Sequence, residues 1–274
     1  MRRGDFVNKR QQFTEEDLQR LRGFRLMDDD FMTKCFENNI ECTELVIQIV
    51  LGRDDIKVKK VETQHLIKNL QGRSVVLDIF ATDCTGKKIN IEIQRADRGA
   101  GAKRARYHSS LIDANITEPG EKMENLLEMY VIFITEKDVM NGMLPIYHIN
   151  RVVEETGMPF DDETHILYVN GEYRDDSPIG ILMHDFSCTD PADMKYKVLA
   201  ERARYFKEDE EGVAVMCKAM EEMRNEAARA ADLAARRRVA ASLLKTGKLS
   251  HEEIAACADL TLQEVKALAG EKGA

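Results

Sequence analysis

Between residues 28 and 51, apolar side chains return at helical spacing: Phe31 and Cys35, then Leu45 with Ile49 and Val46 with Val50. One or two helices follow from that. Glu44 lies inside the second apolar stretch, with Glu41 close by. The pattern then changes to a period of two. Ile56 and Val58 alternate with Lys57 and Lys59 and predict a first strand over 56–63, and residues 74–82 and 88–95 predict two stronger ones. Residues 100–115, rich in Ala, Lys and Arg, predict a helix that ends before Pro119 and Gly120. MYVIFIT at 129–135 is a nearly unbroken apolar run with polar flanks, the signature of a central strand covered on both faces. A further apolar run at 165–169 extends the sheet.

Past residue 190 the pattern turns to helix. Residues 192–246 are rich in Ala, Glu, Lys, Arg and Met, without proline and with Gly212 as the interior breaker. They fit a solvated helix or one that packs or pairs with a second copy. Ser250 with Glu253 and Thr261 with Glu264 form two capping boxes, so two short helices separated by a turn are expected. Their spacing resembles a helix-turn-helix that could enter a DNA groove. Against Lys266 stand Glu252, Glu253, Asp259 and Glu264, so the surface is not electropositive and a structural helical hairpin is the favoured reading. The expected organisation is therefore a mobile or weakly helical polar arm over 1–25, a main domain over 26–190, a long helical segment over 191–246 and the hairpin over 247–274.

Composition narrows the function. No window approaches the roughly 18 apolar residues of a membrane span, and the N-terminus lacks the apolar stretch of a signal peptide, so the cytoplasm is expected and no membrane partner. Cys35, Cys42, Cys84, Cys188, Cys217 and Cys257 form no CxxC pair and no Cys/His ligand spacing, and read as reduced, mostly buried thiols. The six histidines show neither HExxH nor HxH, and GAGAK at 99–103 lacks the phosphate-loop pattern. The net charge of −9 and pI near 5.3 exclude a protein that coats nucleic acid through its global field. A DNA substrate would need local basic patches.

The candidate chemistry lies in SVVLDIFATDCTGKKINIEIQRAD, residues 74–97. Two alternating strands join around Cys84-Thr85-Gly86, a three-residue loop with glycine last, which suits a bulged hairpin. If Asp83 faces Lys87, then Asp78 faces Glu92. Glu92 and Gln94 project to one face, while Ile89, Ile91 and Ile93 project to the other. Like charges directly opposed across a sheet are destabilising. Either Asp78 is a solvent-facing residue on an exposed hairpin, or a divalent cation compensates. Magnesium, which takes oxygen ligands and one or two carboxylates, fits the second case.

The order of elements and the segment LDIFATDCTGKKINIEIQRAD resemble the PD-(D/E)XK nuclease core, and more closely its transposase-associated, recombination-promoting branch. The pieces DDDFMTKCFENN, NLQGRSVVLD, RARYHSSLID and YVIFIT are similar to that branch too, so the resemblance covers roughly residues 25 to 210. It implies an α/β restriction-endonuclease-like core, a central mixed β-sheet flanked by helices, followed by a helical C-terminal extension. The implied activity is Mg2+-dependent endonucleolytic hydrolysis of DNA, with Mn2+ as a substitute, linked to recombination. Asp78 and Glu92 become metal ligands. Gln94 stands where most members have lysine; it carries no positive charge, though its amide can orient the attacking water. Glu44 is similar to an acidic residue that some members add to the site, and reads equally as a helix-surface charge. Lys103, Arg104 and Arg106 open the helix after the Glu-x-Gln strand, where they either pin DNA phosphates or form a solvated face. The other function class left open is a nuclease-fold module that binds DNA or protein without cutting, and homo-oligomerisation through the C-terminal helices is compatible with both.

Overall fold

The computed structural model describes residues 13–69, 72–95 and 99–270. It divides into two compact units, residues 1–216 and 217–274. The first contains α1 (Glu15–Gly23), α2 (Asp29–Phe36), α3 (Ile40–Leu51), β1 (Val58–Ile67), β2 (Val75–Asp83), β3 (Lys88–Gln94), α4 (Ala102–Ile116), β4 (Met129–Thr135), β5 (Ile146–Ile149), β6 (Thr164–Asn170), α5 (Pro178–Ser187) and α6 (Lys197–Glu208). A long helix, α7 (Glu210–Thr246), begins in the first unit and continues into the second, which also holds α8 (His251–Ala258) and α9 (Leu262–Leu268).

The strands form one mixed sheet in the order β1-β2-β3-β4-β6-β5. β1, β2 and β3 run antiparallel to one another, β3, β4 and β6 are mutually parallel, and β5 closes the far edge antiparallel to β6. The parallel step from β3 to β4 requires a crossover, and α4 supplies it. Every residue of β4 is buried, as its unbroken apolar run requires of an interior strand. α2 and α3 pack on the β1 side of the sheet, and α4 packs on β4. Leu111 and Ile112 of α4 join Val131, Phe133 and Tyr168 in one apolar cluster. This is the expected α/β core with a helical C-terminal extension.

Local signals set the boundaries. Asn39 accepts the Cys42 N–H at 3.0 Å to start α3, and Gly52, in the left-handed region at φ 62°, ends it. α1 falls within the expected mobile arm: Thr14 caps it, Leu21 is buried, and the Lys207 ammonium donates to the Arg22 carbonyl at 3.0 Å and to that of Phe24. Residues 1–12 lie outside the described residues. β1 runs four residues beyond the expected strand. β5 and α5 were not anticipated; β5 is four residues long and half-buried or exposed, too short for a periodic signal. The helical segment expected from residue 191 is split between the two units and interrupted at Asp209. In the second unit both capping boxes are formed, and Ile254, Ala258 and Val265 pack with Ala240, Leu243 and Leu244.

Candidate active site

The site is built on the β2–β3 hairpin. Gly86 takes φ 99°, which a glycine adopts without strain, and the strands pair as Thr82 with Lys88, Ala81 with Ile89, Phe80 with Asn90 and Ile79 with Ile91. The same register sets Asp78 opposite Glu92. Beyond Ile79 and Ile91, side chains take over the cross-strand contacts. The Ile93 N–H donates to Asp78 Oδ2 at 2.9 Å, and the Asp78 N–H donates to Glu92 Oε1 at 3.4 Å. Each carboxylate thus reaches the backbone of the other strand.

On the far side of β2 the register points to Gln64 of β1 as Asp78's neighbour. Gln64 has φ 51°, a left-handed conformation unusual for a non-glycine residue within a strand. Its amide is turned toward α2, 3.4 Å from Asp29 Oδ1 and 3.3 Å from the Thr33 hydroxyl. Backbone strain of this kind concentrates at functional sites.

The electrostatics are dominated by acid. Glu92 is fully buried, and burial together with the Glu92 charge pushes the half-buried Asp78 carboxyl up to about 7. Asp29, at the first turn of α2, feels both: burial, Asp30 and Glu92 raise its carboxyl above the usual range, and its own charge raises that of Asp78. The charge of Glu92 on β3 therefore opposes the ionisation of Asp29 on α2 and of Asp78 on β2. Among the described residues, Arg104 faces them as a cation, its Nη2 2.9 Å from Glu92 Oε2.

His108 supports the arrangement from beneath. Arg104 Nε–H donates to His108 Nε2 at 3.3 Å, which leaves the ring proton on Nδ1, 3.5 Å from Glu92 Oε1. The Asn90 side chain lies 3.5 Å from the same nitrogen, and an amide oxygen turned toward the ring would accept that proton. His108 and Asn90 are both buried, so the ring that lies against Glu92 is itself backed by a group without access to solvent.

Lys103, Arg104 and Arg106 line one cleft of about 1020 Å³ together with Arg73, Tyr107 and His108. Tyr107 closes its floor by donating to the Arg73 carbonyl while Asn69 donates to its hydroxyl at 3.1 Å. The three basic residues divide: Lys103 and Arg106 are exposed, and Arg104 is half-buried against Glu92. Gln94 ends β3 with its amide against the backbone of Gly99, where a Cβ would collide with it.

Glu44 stands apart from this cluster. Its carboxylate accepts the Val58 N–H at 2.9 Å and pairs with Lys57 at 2.8 Å. Burial works against its charge, but these bonds outweigh it and hold its carboxyl below the usual range. Val58 faces Asp83, five residues along β2 from Asp78, roughly 17 Å at the rise of an extended strand. The helical acid beside the hairpin carboxylates is Asp29 instead. It was legible only as one of three consecutive aspartates in DDDFMTKCFENN, and Gln64 and His108 carried no signal of their own.

Residues 37–172, about half of the chain, match the family model described as PD-(D/E)XK nuclease family transposase. Through this segment the chain belongs to the PD-(D/E)XK nuclease family. The matched segment carries Asp78, Glu92, Gln94 and the basic start of α4, while Asp29 precedes it. No curated protein and no solved structure gives a significant match. PD-(D/E)XK nucleases generally use divalent metals and act on DNA. The donor set here fits such an ion: Asp78, raised to about 7, and the buried Glu92 come from facing strands, with the charge of Asp29 acting on Asp78, and a dication bound through oxygen would fill that deficit of positive charge. Among the described residues no helix is long and apolar enough to cross a membrane.

Proposed function

We propose that this protein is a magnesium-dependent DNA endonuclease. The observation that carries the reading is the pair formed by fully buried Glu92 and Asp78, whose carboxyl stands near 7 with Asp29 beside it. Asp78 and Glu92 would hold the ion, and Asp29, rather than Glu44, would add the third carboxylate. When bound, the ion supplies charge stabilisation at a phosphate and a more acidic water. The protein's own groups do the rest. His108 lies against the Glu92 carboxylate with Asn90 backing its ring, and Lys103, Arg106 and Arg73 offer positive charge to backbone phosphates along the cleft. Arg104, shared between Glu92 and the cleft, can turn from the carboxylate to a phosphate that enters beside it. The Gln94 amide orients a water but cannot carry the charge of a lysine.

This local basic cleft reconciles a DNA substrate with a net charge of −9. Strand breaks made here would feed recombination, and the C-terminal helices would serve self-association. In the second unit, Arg237 lies 3.5 Å from Glu264 and Arg236 pairs with Asp259, which favours a structural helical hairpin over a DNA-reading one.

Incubation of supercoiled plasmid with the purified protein and Mg2+ or Mn2+ tests the reading. Nicking by the wild type and its loss in Asp78→Ala are expected. Equal inactivity of both across divalent ions would overturn it. A second reading, a nuclease-fold module that binds without cutting, draws support from Arg104 already occupying a Glu92 oxygen and from glutamine at position 94. Calorimetric titration separates the two: a site retired in this way binds neither Mg2+ nor Mn2+ in a manner that depends on Glu92.

A further inference from the structure

One turn at the end of α5 gathers three donors of different chemical kinds. A ring nitrogen of His184, a carboxylate oxygen of Asp185 and the sulfur of Cys188 all lie within 4.8 Å of one another. His184 Nδ1 is 3.1 Å from Asp185 Oδ1 and 3.6 Å from Cys188 Sγ. Tetrahedral ligation by nitrogen and oxygen at about 2.0–2.2 Å and sulfur at about 2.3 Å sets neighbouring donors roughly 3.3–3.6 Å apart. Both distances from the His184 ring are close to that spacing. The sequence shows no CxxC pair, but His184 and Cys188 are four residues apart and so share one side of a helical turn.

Two further features distinguish these residues from a chance surface group. Asp185 is fully buried, and its carboxylate is already oriented: Oδ1 accepts the Lys195 N–H at 2.8 Å and Oδ2 accepts the Tyr196 N–H at 2.7 Å. A carboxylate oxygen has two lone pairs, so Oδ1 retains one on the His184 side. Hydrogen bonds of this kind orient metal-ligating carboxylates. Among the described residues, His184 is the one basic side chain within ion-pair distance of this buried anion. His184 and Cys188, by contrast, are half-exposed or partly open to solvent, which gives an ion a route in and a water a place to complete the shell.

We propose that His184, Asp185 and Cys188 form a second metal site, selective for a thiolate-tolerant ion of the zinc class and sharing no side chain with the carboxylate cluster. Imidazole and thiolate ligands suit such ions, whereas magnesium requires oxygen. Binding exchanges the Cys188 thiol proton for the metal, with the proton released to solvent. Because Asp185 holds the backbone that leads into α6 at its N-cap Tyr196, the ion would fasten the end of α5 to the start of α6.

Titration of the reduced, full-length protein with Co2+ tests the site, because sulfur ligation gives a thiolate-to-cobalt charge-transfer absorption that carboxylate sites lack. The expected result is a band that saturates at one equivalent, persists in Asp78→Asn, disappears in Cys188→Ser and needs at least about tenfold more Co2+ in His184→Ala. Zn2+ should also raise the melting temperature of the wild type and of Asp78→Asn but not that of Cys188→Ser. Absence of the band in the wild type, or its survival in Cys188→Ser, would overturn the proposal. Loss of the band in Asp78→Asn would overturn the independence of the two sites.

Discussion

Asp83 and Asp78 stand five residues apart on β2, the first buried and the second half-buried, and differ in what meets their carboxylates. At the turn, Asp83 accepts the Thr85 N–H at 2.8 Å, the Lys87 N–H at 2.9 Å and the Thr85 hydroxyl at 2.8 Å. Its charge is matched by donors that the hairpin itself supplies. At the open end, Asp78 has one backbone donor, from Ile93, and faces the fully buried Glu92. Burial alone therefore does not mark a reactive acid. An acid whose local chain satisfies it builds the fold; one set against a second acid requires something from outside.

The sharpest way to break this contrast is to neutralise Asp78. Asp78→Asn should lower plasmid nicking by on the order of 1000-fold or more, and residual activity within tenfold of wild type would sink it. The same change should stabilise the metal-free protein at pH 8 by on the order of 1–3 kcal/mol, read from urea midpoints. The sign follows from the raised carboxyl. Between the unfolded value of 3.8 and about 7, the folded state binds more protons than the unfolded state, so this group's contribution to stability falls as pH rises through that window. Divalent ions should reverse the loss above pH 7 in the wild type only. Asp83→Ala should behave in the opposite sense, costing about 2–3 kcal/mol of stability while leaving turnover per folded molecule within about threefold. If Asp83→Ala abolished turnover without unfolding the chain, the turn would not be merely structural.

Smaller effects test the surroundings. Asp29→Asn should reduce nicking about 10- to 100-fold, a supporting carboxylate's share, and should lower the pH at which divalent ions begin to protect. Lys103→Ala and Arg106→Ala should each weaken DNA binding across all sequences and reduce the slope of log affinity against log salt by about one, measured by fluorescence anisotropy. Glu44→Gln should change nicking less than about twofold, because its charge is spent on Lys57 and Val58. A loss as large as that of Asp29→Asn would return Glu44 to the site.

The hairpin was readable because its information is local. Gly86 sets the loop, the loop sets the register, and the register places Asp78 against Glu92. The central strand was readable because burial on both faces leaves an unbroken apolar run. Asp29 was not, since nothing in Asp28-Asp29-Asp30 says which of three acids meets a strand 49 residues later; that depends on how α2 packs on β1 and β2. Gln64 reads as an ordinary strand residue, and its left-handed backbone appears only in the folded sheet. His108 sits in a helix whose basic residues drew attention outward, whereas its ring points inward to Glu92. Arg104 was singled out for phosphate, and its ion pair with Glu92 depends on helix rotation, which spacing alone does not fix.

The contact between Gln94 and Gly99 ties the histories of two positions together. A methyl group at 99 would meet the end of a flexible side chain, so a lineage that acquired alanine there would keep its fold but displace the amide. A longer lysine at 94 would need the same room. The bare backbone at 99 is thus what leaves the Gln94 amide its place at the end of β3.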